Sequence, residues 1–259
     1  MVRKIKIYKN FNIAEIYKNS ILLVGNFDGL HMGHQKLFNL ARKYKKNYKY
    51  KIGVLTFDPM PKMYFNKKMN NFKLSNLNQK KEYLYKYGID FIIIKKFNRQ
   101  FSKIKYHKFI SEFLSKKLKS KYIFVSSNFK FGNKREGNVK KLILSEKKYD
   151  FKIINPKPLK KKNKIISSSL IRKLISKGKI LEANKYLGKY WSIEGIVQKG
   201  RKMGRRIGFP TCNIDIKNYI MPKHGVYAVN ILINKNKKKR IGVANIGLRP
   251  TFKQKKLLL

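Results

Sequence analysis

His31 and His34 lie three residues apart in the stretch Val24-Gly25-Asn26-Phe27-Asp28-Gly29-Leu30-His31-Met32-Gly33-His34. The apolar run Ile21, Leu22, Leu23, Val24 before it predicts a buried strand. After it come Gln35, Lys36, Leu37, Phe38, Leu40 and Ala41, with apolar residues at helical spacing. A strand therefore stops, the chain turns on Gly25, Gly29 and Gly33, and a helix opens with two histidines at its mouth. A helix N-terminus offers free N–H groups and a partial positive charge, and the imidazoles add donors aimed at the same anion. The chemistry is that of a nucleotide triphosphate site. The plain alternative is a polar turn with two surface histidines, but the whole chain holds only four.

Two further stretches point to phosphate. In Ile166-Ser167-Ser168-Ser169-Leu170-Ile171-Arg172, hydroxyls at a helix start can cap it or meet phosphate oxygens, and Arg172 brings a fork suited to them. In Gly195-Ile196-Val197-Gln198-Lys199-Gly200, followed by Gly204-Arg205-Arg206-Ile207-Gly208-Phe209-Pro210-Thr211-Cys212-Asn213, glycines let a loop wrap phosphate closely. There Gly204, Thr211 and Asn213 are candidates for Mg–ATP, the hydroxyl and amide oxygen being hard ligands for Mg2+. Cys212 reads as a small packing residue.

The HxGH element after the first of these strands resembles the nucleotidyltransferase superfamily. The fuller GNFDGxHxGH resembles the bacterial bifunctional riboflavin kinase/FAD synthetases. Residues 166–172 are similar to that family's ISSTxIR element, with Ser169 where threonine is usual. Val125-Ser126-Ser127-Asn128-Phe129-Lys130-Phe131-Gly132 resembles its GxNFxFG element, with Ser126 where glycine is usual, a side chain that weakens binding if the backbone there must approach the ligand closely. Thr56-Phe57-Asp58-Pro59-Met60-Pro61 corresponds to its TFxPHP turn, with Met60 for histidine on the flavin side. Residues 195–213 resemble its kinase signature GxVxxGxxxGRxLGFPTAN. The resemblance implies FMN + ATP → FAD + pyrophosphate. It assigns His31, His34 and Arg172 to catalysis, and Gly25, Asn26, Phe27, Asn128, Ser168 and Ser169 to ATP. Asp28 either touches Mg2+ through water or caps the turn. In the family a later strand, like LEVHLFDF, carries the glutamate base of the kinase. No acidic residue follows Asp215 in this sequence. The expectation is thus a truncated kinase domain with weak or lost riboflavin phosphorylation.

Elements that would position these residues alternate along the first 155 positions. Strands are expected at Ile21–Val24, Ile52–Phe57, Phe91–Ile94, Tyr122–Val125 and Phe151–Ile154. Helices are expected near Gln35–Lys46, Asn78–Tyr87, Tyr106–Leu118 and Asn138–Glu146. This predicts an α/β, Rossmann-like nucleotidyltransferase domain with a parallel sheet and helices on both faces. Two short helices follow at Ser167–Lys177 and Ile180–Leu187. Strand patterns at Trp191–Val197, Gly225–Ile233 and Arg240–Ile246 then predict an incomplete β-barrel. The expected division is residues 1–188 for the adenylyltransferase and 189–259 for the kinase.

The chain has 259 residues, a formal charge of +52 and 42% hydrophobic residues. It has room for two modest domains, and shows neither an internal repeat, nor a run long enough to span a membrane, nor an apolar leader. A single cysteine fits a cytoplasmic protein. The charge is mostly lysine, spread evenly beside Asn, Ile, Tyr and Phe, which share A/T-rich codons. Base composition accounts for it without a nucleic-acid partner, and Lys160–Lys162 and Lys237–Lys239 read as solvated loops. The expected partners are ATP, FMN and riboflavin, with no membrane and an oligomeric state left open. The alternatives are another HxGH nucleotidyltransferase or a basic RNA-binding protein on a decayed scaffold.

Overall fold

The structure, a computed structural model, describes residues 5–198, 208, 211–216, 218–233 and 239–247. Six strands form its centre: β1 (Lys6–Tyr8), β2 (Ile21–Val24), β3 (Ile52–Asp58), β4 (Phe91–Lys96), β5 (Tyr122–Phe124) and β6 (Lys152–Ile154). They pair in the order β1-β4-β3-β2-β5-β6, all parallel. The five strands expected from the sequence are present within two residues at each end. β1 was not foreseen, because a three-residue edge strand with Ile7 40% exposed carries no apolar run.

Successive residues of a strand face opposite sides, so both faces of this sheet are apolar. Ile21, Leu23, Ile52, Val54 and Phe124 pack under Phe38 and Ala41 of α1 (Met32–Tyr48) and Leu84 of α2 (Leu77–Lys86). Leu22, Val24, Leu55, Ile93 and Ile123 pack under Phe109, Ile110 and Leu114 on the other face. Those three residues belong to a helix that is α over Tyr106–Lys108 and takes the wider π winding over Phe109–Lys117, where a regular helix was expected. Residues 139–149 form two short helices, Val139–Leu144 and Glu146–Tyr149, in place of one.

α3 (Ser168–Ser176) and α4 (Ile180–Leu187) follow, as expected. Ile171, Leu174, Ile175, Ala183 and Leu187 form a third cluster with Leu74, and Trp191 and Ile220 pack against it. Lys160–Lys161, expected as loop, is an exposed strand paired with Lys164–Ile165. Lys162 and Asn163, both with positive φ, turn the hairpin in the manner that suits strand twist.

Beyond α4 the expected strand Trp191–Val197 is reduced to Val197–Gln198, paired with Asn213–Ile214. Side chains of the first unit take up the backbone before it. Trp191 N donates to Asn184 Oδ1 at 2.7 Å, and Gln79 Nε2 donates to Ser192 O at 3.0 Å. Trp191 Nε1 in turn donates to Leu74 O at 3.0 Å. Gly225–Ile231 and Arg240–Ile246 form an antiparallel pair. Gly204, Lys237, Lys238 and residues 248–259 lie outside the described residues.

Candidate active site

The strand order reverses between β2 and β5, and ligands of such sheets settle beyond the carboxyl ends of the strands at that point. The Gly25–His34 turn leaves β2 there, and the loop with Asn128 leaves β5. The start of α3 joins them, since Ser168 Oγ donates to Asp28 O at 3.0 Å.

Asp28 organises the turn. Its carboxylate is buried and accepts from Leu74 N at 3.0 Å and Ser75 N at 3.2 Å, and it pairs with Arg172 Nη2 at 2.6 Å. These partners lie across the fold and not in the turn that Asp28 was expected to cap. Gly29, at φ +75°, is needed because a Cβ there would stand 2.8 Å from Leu74 Cδ1. Phe27 and Leu30 also take positive φ, 45° and 41°, a costly conformation for side chains of their size. Phe27 is buried, its ring centroid 5.2 Å from His34 and 5.1 Å from Phe38, so its side chain packs between His34 and the core of α1.

His31 caps α1 through its backbone, its carbonyl accepting from His34 N and Gln35 N. The imidazoles stack, centroids 3.7 Å apart and planes 20° from parallel. Both Nδ1 atoms are buried without a partner among the described residues. Burial pushes His31 down to about 4, with Arg172 and Lys189 acting the same way. His34 is held well below the ordinary histidine range by burial, then by His31 and Lys80. Two neutral rings with unmet polar atoms thus stand at a helix N-terminus, an arrangement suited to an incoming anion.

The other expected site residues are distributed around this pair. Ser167 caps α3, its hydroxyl accepting from Leu170 N, while Ser168 ties to Asp28 and Ser169 is exposed. Arg172 Nε donates to Phe72 O at 2.7 Å and its guanidinium lies 3.6 Å over the Phe72 ring. Asn128 is exposed after β5, and the Ser126 hydroxyl donates to its Oδ1 at 2.9 Å. Ser126 therefore orients Asn128. Met60 is buried at the start of the helix Pro61–Phe65.

Asn26 Oδ1 is buried without a partner among the described residues, and its carbonyl accepts from Lys80 Nζ at 2.8 Å. Lys80 and Lys189 escaped sequence reasoning because 64 Lys and Arg residues hide any one of them. Lys189 Nζ lies 3.2 Å from the Tyr83 ring centroid, and burial lowers it to about 7. On the kinase side, Asn213 opens its short strand, and Thr211 and Cys212 are exposed. Cys212 is therefore not the packing residue expected. Gly204 lies outside the described residues, so its place beside Thr211 and Asn213 is not described.

A doubly wound parallel sheet with an HxGH turn at its switch point defines a Rossmann-like nucleotidyltransferase fold. A family model described as FAD synthetase matches residues 13–170, and one described as riboflavin kinase matches residues 187–259. A bifunctional riboflavin kinase/FMN adenylyltransferase of Buchnera aphidicola from Schizaphis graminum is 42% identical over 93% of this chain and 77% of its own length. Proteins with the same description from Haemophilus influenzae and Escherichia coli K12 are 35% and 34% identical, over 93% and 89% of this chain and 78% and 74% of theirs. The chain belongs to the bifunctional riboflavin kinase/FMN adenylyltransferase family. A crystal structure described as a macrolide-efflux protein from Streptococcus pneumoniae is also similar, with a TM-score of 0.83 and 27% identity over 98% of this chain and 83% of that one. No helix among the described residues is long and apolar enough to cross a membrane.

Proposed function

We propose that this chain transfers the adenylyl group of ATP to FMN, giving FAD and pyrophosphate. The observation that carries the reading is the stacked His31–His34 pair at the mouth of α1, with both buried Nδ1 atoms unmatched, at the switch point of the sheet. In this reading an FMN phosphate oxygen attacks the α-phosphorus as the bond to the β-phosphate breaks, and pyrophosphate leaves with that electron pair. The attacking phosphate is already anionic, so no general base is needed. Catalysis is positioning and charge stabilisation. His31 and His34 donate to the phosphates, Asn128, Ser168, Ser169 and Arg172 hold the nucleotide, and the backbone of Gly25–Phe27 lines its adenine side.

The same proposal covers the second unit and the division at 188/189. Thr211 and Asn213 present oxygens suited to a Mg2+ carried with ATP, a role that does not require a carboxylate cluster. Among the described residues no group of three His, Cys, Asp or Glu is placed to hold a metal. Among the 259 residues no Asp or Glu follows Asp215, and weak riboflavin phosphorylation by these residues is part of the same reading. A cytoplasmic location and small-molecule partners alone, without nucleic acid, belong to this reading.

The test is to supply the folded protein and Mg–ATP with FMN or with riboflavin and separate the flavins by chromatography. FAD is expected from FMN and not from riboflavin. No FAD from FMN at micromolar protein would sink the adenylyltransferase reading, and efficient FMN formation from riboflavin would sink the kinase one.

A further inference from the structure

Lys80 lies on α2, is only 7% exposed and reaches the β2–α1 turn from below. Its Nζ donates to Asn26 O at 2.8 Å and approaches Thr56 Oγ1 at 3.5 Å. A buried ammonium is normally paired, because leaving water is costly for a charge. The nearby carboxylates are engaged elsewhere, Asp58 with Lys73 at 3.0 Å and Asp28 with Arg172 at 2.6 Å. Among the described residues Lys80 forms no ion pair within 4.0 Å. Once the two pairs are matched, Lys80 has no carboxylate of its own; burial lowers its ammonium from the ordinary lysine value while Asp28 and Asp58 act the other way, so its positive charge lacks a counterion.

That charge opens onto a cleft lined by Asp28, Asp58, Met60, Lys73, Ser75 and Lys80. Asp58 and Met60 come from the carboxyl end of β3, so the cleft flanks the β2–α1 turn on the side away from β5 and Asn128. Lys80 is also near enough to His34 to help keep that imidazole neutral. Displacement at the α-phosphorus places the attacking group and the leaving pyrophosphate on opposite sides. If ATP is held from the β5 side, the attacking phosphate comes from the β3 side, where the uncompensated cation lies.

We propose that Lys80 receives the phosphate of the acceptor nucleotide, so that it selects a phosphorylated flavin over the free one. The proposal rests on the adenylyltransferase reading and assigns that site a residue for its second substrate. Lys80 also holds the Asn26 carbonyl, and its test must separate the two tasks. Lys80→Gln keeps a donor for Asn26 O and loses the charge, whereas Lys80→Met loses both.

The experiment measures initial rates of FAD formation with FMN and ATP varied in turn, and riboflavin as competitor against FMN. Both variants are checked by circular dichroism, and either one, if folded, suffices. The expected result is an FMN KM raised at least about tenfold, the scale of a lost charge-assisted hydrogen bond. The ATP KM and the riboflavin inhibition constant stay within about threefold. A similar rise for ATP or riboflavin, or a lower kcat with both KM values unmoved, overturns the proposal, since each marks a role in shaping the turn. Should neither variant fold, riboflavin competing with the unmodified protein as tightly as FMN binds also overturns it, and competition at least about tenfold weaker supports it. Unmodified protein that makes no FAD defeats the underlying reading, whereas active protein whose folded variants keep the FMN KM defeats only the role of Lys80.

Discussion

The six-stranded sheet and the Gly225–Ile231/Arg240–Ile246 hairpin are both rich in β-branched residues, yet their side chains have opposite surroundings. In the sheet, helices cover both faces, and Ile21, Leu22, Leu23, Ile52 and Val54 are fully buried. In the hairpin Val226, Ile241 and Val243 are 71%, 88% and 74% exposed. A parallel strand needs a crossover before it meets its neighbour, and the crossover helix brings its own cover. A hairpin needs only a turn, so its strands can pair before either face is covered, and of the residues in these two strands only Ile246 is buried. The histidine pair belongs to the covered region, and its unmatched Nδ1 atoms are buried there. Thr211, two residues before Asn213, lies outside both sheet and hairpin and is exposed.

The largest expected effect tests that contrast directly. Phe38→Ala removes a fully buried ring between α1 and the sheet and should cost about 3–5 kcal/mol. Val243→Ala on the hairpin should stay within about 0.5 kcal/mol. Urea denaturation measures both, and similar losses would mean that the two regions are equally packed.

Next comes the chemistry carried by the covered region. His31→Ala should slow adenylyl transfer about 10²-fold or more, as expected for losing one preorganised donor. Lys36→Ala, exposed and one turn further along α1, should leave the rate nearly unchanged. Steady-state FAD formation is the readout. Equal effects would turn the histidine into a merely structural residue.

An effect of comparable size is in pH. His31 titrates near 4 in the fold against 6.5 when unfolded, and His34 is shifted the same way. Across that interval the unfolded chain binds protons that the fold excludes. Stability from burying the neutral rings is therefore complete above about 6.5 and declines as pH falls toward 4. Thermal unfolding followed from pH 7 to 4 should lose slope in His31→Gln by up to one proton, about 1.4 kcal/mol per pH unit. An unchanged slope would show that His31 takes up its proton in the fold over the same pH range as in the unfolded chain.

Local pattern was enough for much of this protein. The run Ile21–Val24, the three glycines and the helical spacing from Gln35 onward specify strand, turn and helix within adjacent residues. The Ser167 cap and the ends of α3 and α4 were legible for the same reason. The division of labour around Asp28 was not, because its partners Leu74, Ser75 and Arg172 lie 46, 47 and 144 residues away. Nor was the irregular course of Trp191–Ile196, which trades a ladder for bonds to Asn184, Gln79 and Leu74.

By itself, then, the sequence determined the strand, turn and helix of residues 21–48, the two helices over 168–187 and the family, since each rests on residue types at short spacing. Tertiary structure alone decided which of many lysines is buried without a carboxylate, and that two imidazoles 3.7 Å apart stay neutral. Charge state and solvation depend on everything packed around a group, and that packing exists only once distant parts of the chain have met.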